Sequence, residues 1–139
     1  MTRVVVDTNV LVSALVRGGK PRTIVLKLLE DHSVLICAEM LAELVDVLSR
    51  QKFAFVKRSQ IDTFLSKLVR GCEVMAVTSH LEVVKEDQDD NTVLATGHDG
   101  KAEYIVTGDK HLLALGQFRG IHIVKVAEML DILSRSSRA

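Results

Sequence analysis

The sequence has no tryptophan, one tyrosine and four phenylalanines. That is too little aromatic surface for a platform on which successive bases could stack. No apolar run approaches the roughly 18 residues of a membrane span, so no membrane association is expected. The N-terminus shows no charged segment followed by an apolar stretch, and a secretory signal is not expected. The two cysteines, Cys37 and Cys72, form no CxxC pair, which argues against a thiolate metal site and suits buried free thiols in a reducing cytoplasm. Eighteen basic residues balance eighteen acidic ones, so no overall basic field attracts a polyanion. Neither a GxxxxGKS/T nor a GxGxxG motif occurs, leaving nucleotide binding by those routes unsupported. His32, His80, His98, His111 and His122 show no HxH or HExxH spacing, so a histidine-built zinc site is not indicated.

What remains is an alternation of two patterns along a chain of 139 residues, one domain's length. Apolar runs at 4–6, 34–37, 74–77, 104–106 and 121–126 suit buried strands. Helical periodicity falls at 9–16, 22–31, 38–50, 60–70, 91–98, 110–115 and 127–133. Pro21 fits a first helical turn, where its missing N–H costs nothing, and Gly71 and Gly100 fit helix ends. Strand followed by helix, repeated about five times, predicts an α/β fold with a parallel sheet covered on both faces. Residues 1–133 form the expected domain and 134–139 read as a loose tail.

In such a sheet the ligand site lies beyond the carboxyl ends of the strands. Two acids stand there: Asp7 after Val4-Val5-Val6, and Asp109 after Val106-Thr107-Gly108. Capping the next helix is the plain alternative for Asp7, although Thr8 or Asn9 could do that equally well. The segment also approaches the Asp-x-Asp motif of haloacid dehalogenase phosphatases, but Asn9 replaces the second acid and removes the general acid. Glu43 shares a helical stripe with Met40 and Val47, while Glu39 and Asp46 are its acidic neighbours. Two carboxylates about 4 Å apart repel by roughly 4 kcal/mol at an effective dielectric of about 20. Beside a core that repulsion calls for a raised pKa or a cation. The run Glu86-Asp87-Gln88-Asp89-Asp90-Asn91 is the densest acidic patch, more than one helix cap requires. Hard oxygen donors without a His or thiolate cluster favour Mg²⁺ or Mn²⁺ over Zn²⁺.

Taken in order, four segments resemble the PIN-domain family of metal-dependent ribonucleases: Val-Val-Asp7-Thr8-Asn9-Val-Leu, Ala42-Glu43-Leu44, Asp89-Asp90-Asn91, and Val106-Thr107-Gly108-Asp109. The nearest likeness is to short stand-alone members that act as toxins of toxin–antitoxin pairs. Those often carry Asp-Pro-Asp-Asp-Asn where this chain has Asp87-Gln88-Asp89-Asp90-Asn91, a change that alters the loop entry and no carboxylate. The resemblance implies a three-layer α/β/α sandwich in which Asp7, Glu43, Asp90 and Asp109 converge on one or two Mg²⁺ or Mn²⁺ ions. It gives Asn9 and Thr107 supporting or substrate-orienting roles, with Asp87 or Asp89 assisting through water. The implied activity is hydrolysis of single-stranded RNA, with Lys110, Arg17, Lys20 and Arg22 as candidate phosphate contacts. It also implies a homodimer or larger homo-oligomer and an antitoxin partner.

Two other readings compete. A PIN fold could bind RNA or a partner and cut poorly, but it would have no reason to keep costly like charges together. A receiver-like phosphoacceptor domain needs an early acidic pair and a Lys after a late strand, which Lys110 directly after Asp109 fits poorly.

Overall fold

The computed structural model describes residues 2–85 and 87–138, so Met1, Glu86 and Ala139 lie outside the described residues. Six strands, β1 (Arg3–Val6), β2 (Ser33–Cys37), β3 (Cys72–Met75), β4 (Tyr104–Val106), β5 (Gln117–Phe118) and β6 (Ile121–Val124), form one sheet in the order β3-β2-β1-β4-β6-β5. The first five in that order pair in parallel and β5 pairs antiparallel with β6. Among the described residues seven α-helices surround the sheet: α1 (Thr8–Val16), α2 (Gly19–Asp31), α3 (Ala38–Leu48), α4 (Arg58–Gly71), α5 (Gln88–Asp99), α6 (Lys110–Leu115) and α7 (Val126–Arg138). The result is the three-layer α/β fold the alternating pattern predicts.

Valine-rich runs make the central strands because branched side chains pack well on a pleated surface covered on both sides. Val4, Val5, Leu35 and Ile105 are wholly buried. Helix α5 packs against β1, β2 and β4. Its Gly97 lies over Ile105 and Ile121, and its C-cap Gly100 over Leu35 and Met75.

Several boundaries differ from the sequence expectation, each for a local reason. Strand β3 occupies 72–75 rather than 74–77 because its partner β2 ends at Cys37, opposite Met75, where α3 begins. Strand β6 stops at Val124, opposite the last residue of β4. Strand β5 is only two residues long and leaves no periodicity to read; Arg119 and Gly120, at φ of 49° and 84°, make its turn into β6. The stretch 134–139, expected as a loose tail, is helical as far as Arg138. No glycine or proline interrupts α7 there, Met129 and Leu133 are buried, and Asp131 pairs with Arg135 one turn on.

The strand order places the site. The chain runs outward from β1 to β2 and β3, then returns to lay β4 on the other side of β1. A crevice opens beyond the carboxyl ends of strands where the order reverses in this way. Asp7 leaves β1 and Thr107 leaves β4 at that point, joined by the Asp7 N–H to Val106 carbonyl bond of 2.9 Å.

Candidate metal centre

Both strand-end acids are helix caps, which is how the sequence holds them in place. Asp7 is the N-cap of α1, its Oδ1 accepting the Thr8 N–H at 2.7 Å. Asp109 is the N-cap of α6, and its Oδ1 accepts from His111 N at 2.8 Å and Leu112 N at 3.1 Å. Capping therefore does not compete with a second role here, because each carboxylate keeps another oxygen. The Thr107 hydroxyl donates to Asp7 Oδ2 at 2.7 Å and accepts the Asp109 N–H at 2.9 Å. The Thr8 hydroxyl donates to Glu43 Oε2 at 3.3 Å. Two threonines thus tie Asp7, Glu43 and Asp109 together through neutral donors.

Asp87 is the N-cap of α5, accepting the Asp89 N–H at 2.9 Å. Asp89 and Asp90 consequently sit in the helix's first turn rather than in a loop. Asp89 is exposed and Asp90 is buried. Asn91 locks the incoming segment: its amide accepts from Val84 N at 2.8 Å and donates to Val84 O at 2.7 Å. A ligand atom from each of Asp90, Asp109 and His111 falls within 4.8 Å of the others. Asp7 and Glu43 stand outside that tight group; the Asp7 charge acts on Asp90, and Glu43 is coupled to Asp7, Asp89 and Asp87. Burial, opposed by the Thr107 and Thr8 bonds and helped by the Asp109 and Asp87 charges, raises the Asp7 carboxyl. Burial and then the charges of Asp89 and Asp7 raise Glu43. Burial and then Asp109 push Asp90 up to about 7.

Lysine and arginine do not relieve this charge. Among the described residues their ion pairs fall elsewhere, Arg3 with Glu73, Arg50 with Asp46, Arg58 with Asp62 and Arg135 with Asp131. Asp90 Oδ2 is buried without any hydrogen-bond partner, the one such side-chain atom among the described residues. A buried, unpartnered carboxylate oxygen among other carboxylates is costly unless a cation completes it. The donor set fits a divalent metal ion.

The PIN-domain sequence profile matches residues 3–111. The chain belongs to the PIN-domain family. No curated protein matches it. Among the solved structures that share its fold are the following two. A chain of VapBC2 from Rickettsia felis, solved bound to a DNA fragment from their promoter, is 16% identical, with a TM-score of 0.64 over 89% of this chain and 98% of that one. PAE2754 from Pyrobaculum aerophilum is 20% identical, with a TM-score of 0.57 over 96% of this chain and 90% of that one.

Within this PIN domain the other expected contributors divide. Thr107 is buried at the centre of the network, whereas Asn9 and Lys110 are exposed, Asn9 accepting from Gly108 N at 3.4 Å. Arg22, expected as a phosphate contact, is committed to α1: its guanidinium donates to the Ala14 and Leu15 carbonyls at 2.8 and 2.9 Å. Lys20 does face the site's margin, lining a groove of about 540 Å³ with Asn9, Thr107 and Lys125. Sequence reasoning missed His111, because it sought histidine pairs and not a histidine beside a capping acid. It also missed the Asn91 clamp and the Thr8 bridge, although both residues stood in the quoted motifs. No helix among the described residues is long and apolar enough to cross a membrane.

Proposed function

We propose that this PIN domain is a divalent-metal-dependent endoribonuclease that hydrolyses single-stranded RNA in the cytoplasm, as the toxin of a toxin–antitoxin pair. The observation that carries the reading is the unpartnered, buried Asp90 Oδ2 beside Asp109, at the strand-order reversal of a nuclease fold. Asp90 and Asp109 hold the ion, with Asp7 and Glu43 completing the charge around it. When bound, Mg²⁺ or Mn²⁺ neutralises this acidic cleft toward a polyanion and polarises the phosphodiester and the attacking water. Glu43, half-buried and with its carboxyl raised by burial and by the acids around it, accepts the proton of that water at a carboxylate oxygen. Thr107 orients Asp7 and Asp109, while Asn9 and Lys110, exposed at the rim, contact the RNA strand. Asp87 and Asp89 add negative charge that strengthens ion binding.

Likeness over nearly the whole length of a VapBC2 chain supports a partner protein and the toxin role. The test is cleavage of a mixed-sequence single-stranded RNA with Mn²⁺ or Mg²⁺ by wild type and Asp90→Asn. Metal-dependent cutting that disappears in the variant supports the reading. Folded wild-type protein that cuts none of several RNAs overturns it, and equal cutting by both proteins places the activity elsewhere.

A further inference from the structure

We propose that His111 is a metal ligand of this chain, and that its imidazole shifts the site's preference from Mg²⁺ toward Mn²⁺ and other nitrogen-accepting divalent ions. The inference rests on Asp90 and Asp109 holding a cation, and does not depend on RNA being the substrate.

The geometry begins with the cap. Asp109 Oδ1 accepts the backbone N–H of His111 at 2.8 Å, which fixes His111 at the second position of α6 beside the carboxylate. Its ring Nδ1 lies 3.8 Å from the same oxygen. That separation is too long for a hydrogen bond, so the bond to Asp109 does not consume the ring nitrogen. One ring nitrogen and one oxygen each of Asp90 and Asp109 fall within 4.8 Å of one another. Ligands held about 2.1 Å from one ion lie about 3.0 Å apart when adjacent and about 4.2 Å when opposite. Three ligands of one ion include at most one opposite pair, so closure draws the ring and the two carboxylates closer together, and rotation of the exposed imidazole supplies movement toward them.

A second observation points to the same place. Asp90 Oδ2, in a side chain only 4% exposed, has no partner. Lys110 is exposed and forms no ion pair with these acids among the described residues, so the ring is the group on α6 that reaches them. Mg²⁺ is held through oxygen in near-ideal octahedral geometry, whereas imidazole suits transition metals. One nitrogen among oxygen donors thus selects between ions that carboxylates alone separate poorly.

Isothermal titration calorimetry with MnCl₂ and MgCl₂, on metal-stripped full-length protein near pH 7.5, tests this. Wild type binds Mn²⁺ more tightly than Mg²⁺, and His111→Ala weakens Mn²⁺ by at least about tenfold, the low end of what losing even an outer partner costs. Mg²⁺ affinity stays unchanged. Imidazole ¹⁵N spectra of wild type with ZnCl₂ as a diamagnetic probe need no variant: a ring nitrogen of His111 shifts while His32, His80, His98 and His122 do not.

An equal fall for both ions in His111→Ala would make the residue a support for Asp109 and overturn the proposal. So would an absent ¹⁵N shift. Ion binding abolished by Asp90→Asn but untouched by His111→Ala would leave the metal site standing and remove His111 from it. Binding untouched by either variant would remove the site itself.

Discussion

Thr107 and Asp7, separated by 100 residues, are joined by a buried hydrogen bond of 2.7 Å from the threonine hydroxyl to Asp7 Oδ2. The same hydroxyl oxygen accepts the Asp109 N–H, so one side chain serves both strand-end acids. Thr107→Val keeps the shape and removes the donor. We expect unfolding free energy to fall by about 1–3 kcal/mol, the cost of leaving a buried acceptor without its partner. Thr107→Ser should recover most of it. Urea titrations of the three proteins decide the matter, and coincident midpoints for wild type and Thr107→Val would contradict it.

The raised Asp90 carboxyl makes the metal-free protein sensitive to pH. In the unfolded chain this group ionises near its ordinary value of 3.8, whereas in the native protein it holds its proton to about 7. Between those values the native state binds more protons, so stability declines as pH rises through the window and levels off above it. Asp7 and Glu43 are raised as well and act in the same direction. Asp90→Asn should therefore be more stable than wild type at about pH 8 in EDTA, with the advantage shrinking toward about pH 4. Guanidinium midpoints across that range provide the check. A variant less stable than wild type at the alkaline end would refute the assignment.

Bound Mn²⁺ or Mg²⁺ should reverse that alkaline weakness, because any ligand of the native state alone stabilises it by mass action. At an ion concentration about 100 times the dissociation constant the gain is about 2.7 kcal/mol. Thermal melts with and without the ion should show a rise in wild type and none in Asp90→Asn.

Much of this architecture is legible in the sequence because its central strands are short valine-rich runs and its helices carry clear stripes. The acids were recognisable one by one, and their order along the chain pointed to the family. The meeting of Asp90 and Asp109 was not legible from spacing, since it depends on where the sheet order sets β4 and α5. His111 was passed over because a histidine standing singly beside a capping Asp leaves no repeat to find. Arg22 was expected as a phosphate contact because its other use shows only when the carbonyl end of α1 is seen beside α2.

Gly100 offers a test of how α5 is seated. A Cβ there would lie 2.6 Å from Leu35 Cδ1, 2.8 Å from the Met75 sulfur and 2.9 Å from the Thr96 carbonyl oxygen. The backbone oxygen belongs to the helix that carries Asp90 and has little freedom to yield. Gly100→Ala should cost about 1–3 kcal/mol, as overpacking does, read as a lower midpoint in chemical denaturation. An unchanged midpoint would show that α5 can shift without penalty.

The groove bearing Lys20 and Lys125 beside Asn9 and Thr107 predicts a path for the RNA backbone. In an Asp90→Asn background, binding of a single-stranded RNA should weaken on Lys20→Gln or Lys125→Gln, each lowering the salt slope by about one. Arg22→Gln should instead lower stability and leave the slope unchanged, since its guanidinium is spent on α1. Equal slopes in all these proteins would place the RNA on another face.

The hundred residues between Asp7 and its threonine have a temporal meaning. Asp7 is made long before its partner Thr107 and the acid that follows it, Asp109. Until then the growing chain carries the first carboxylates dispersed, without the strand that gathers them. A product truncated before β4 lacks both Thr107 and Asp109, so the network around Asp7 closes only once β4 has been made and laid beside β1.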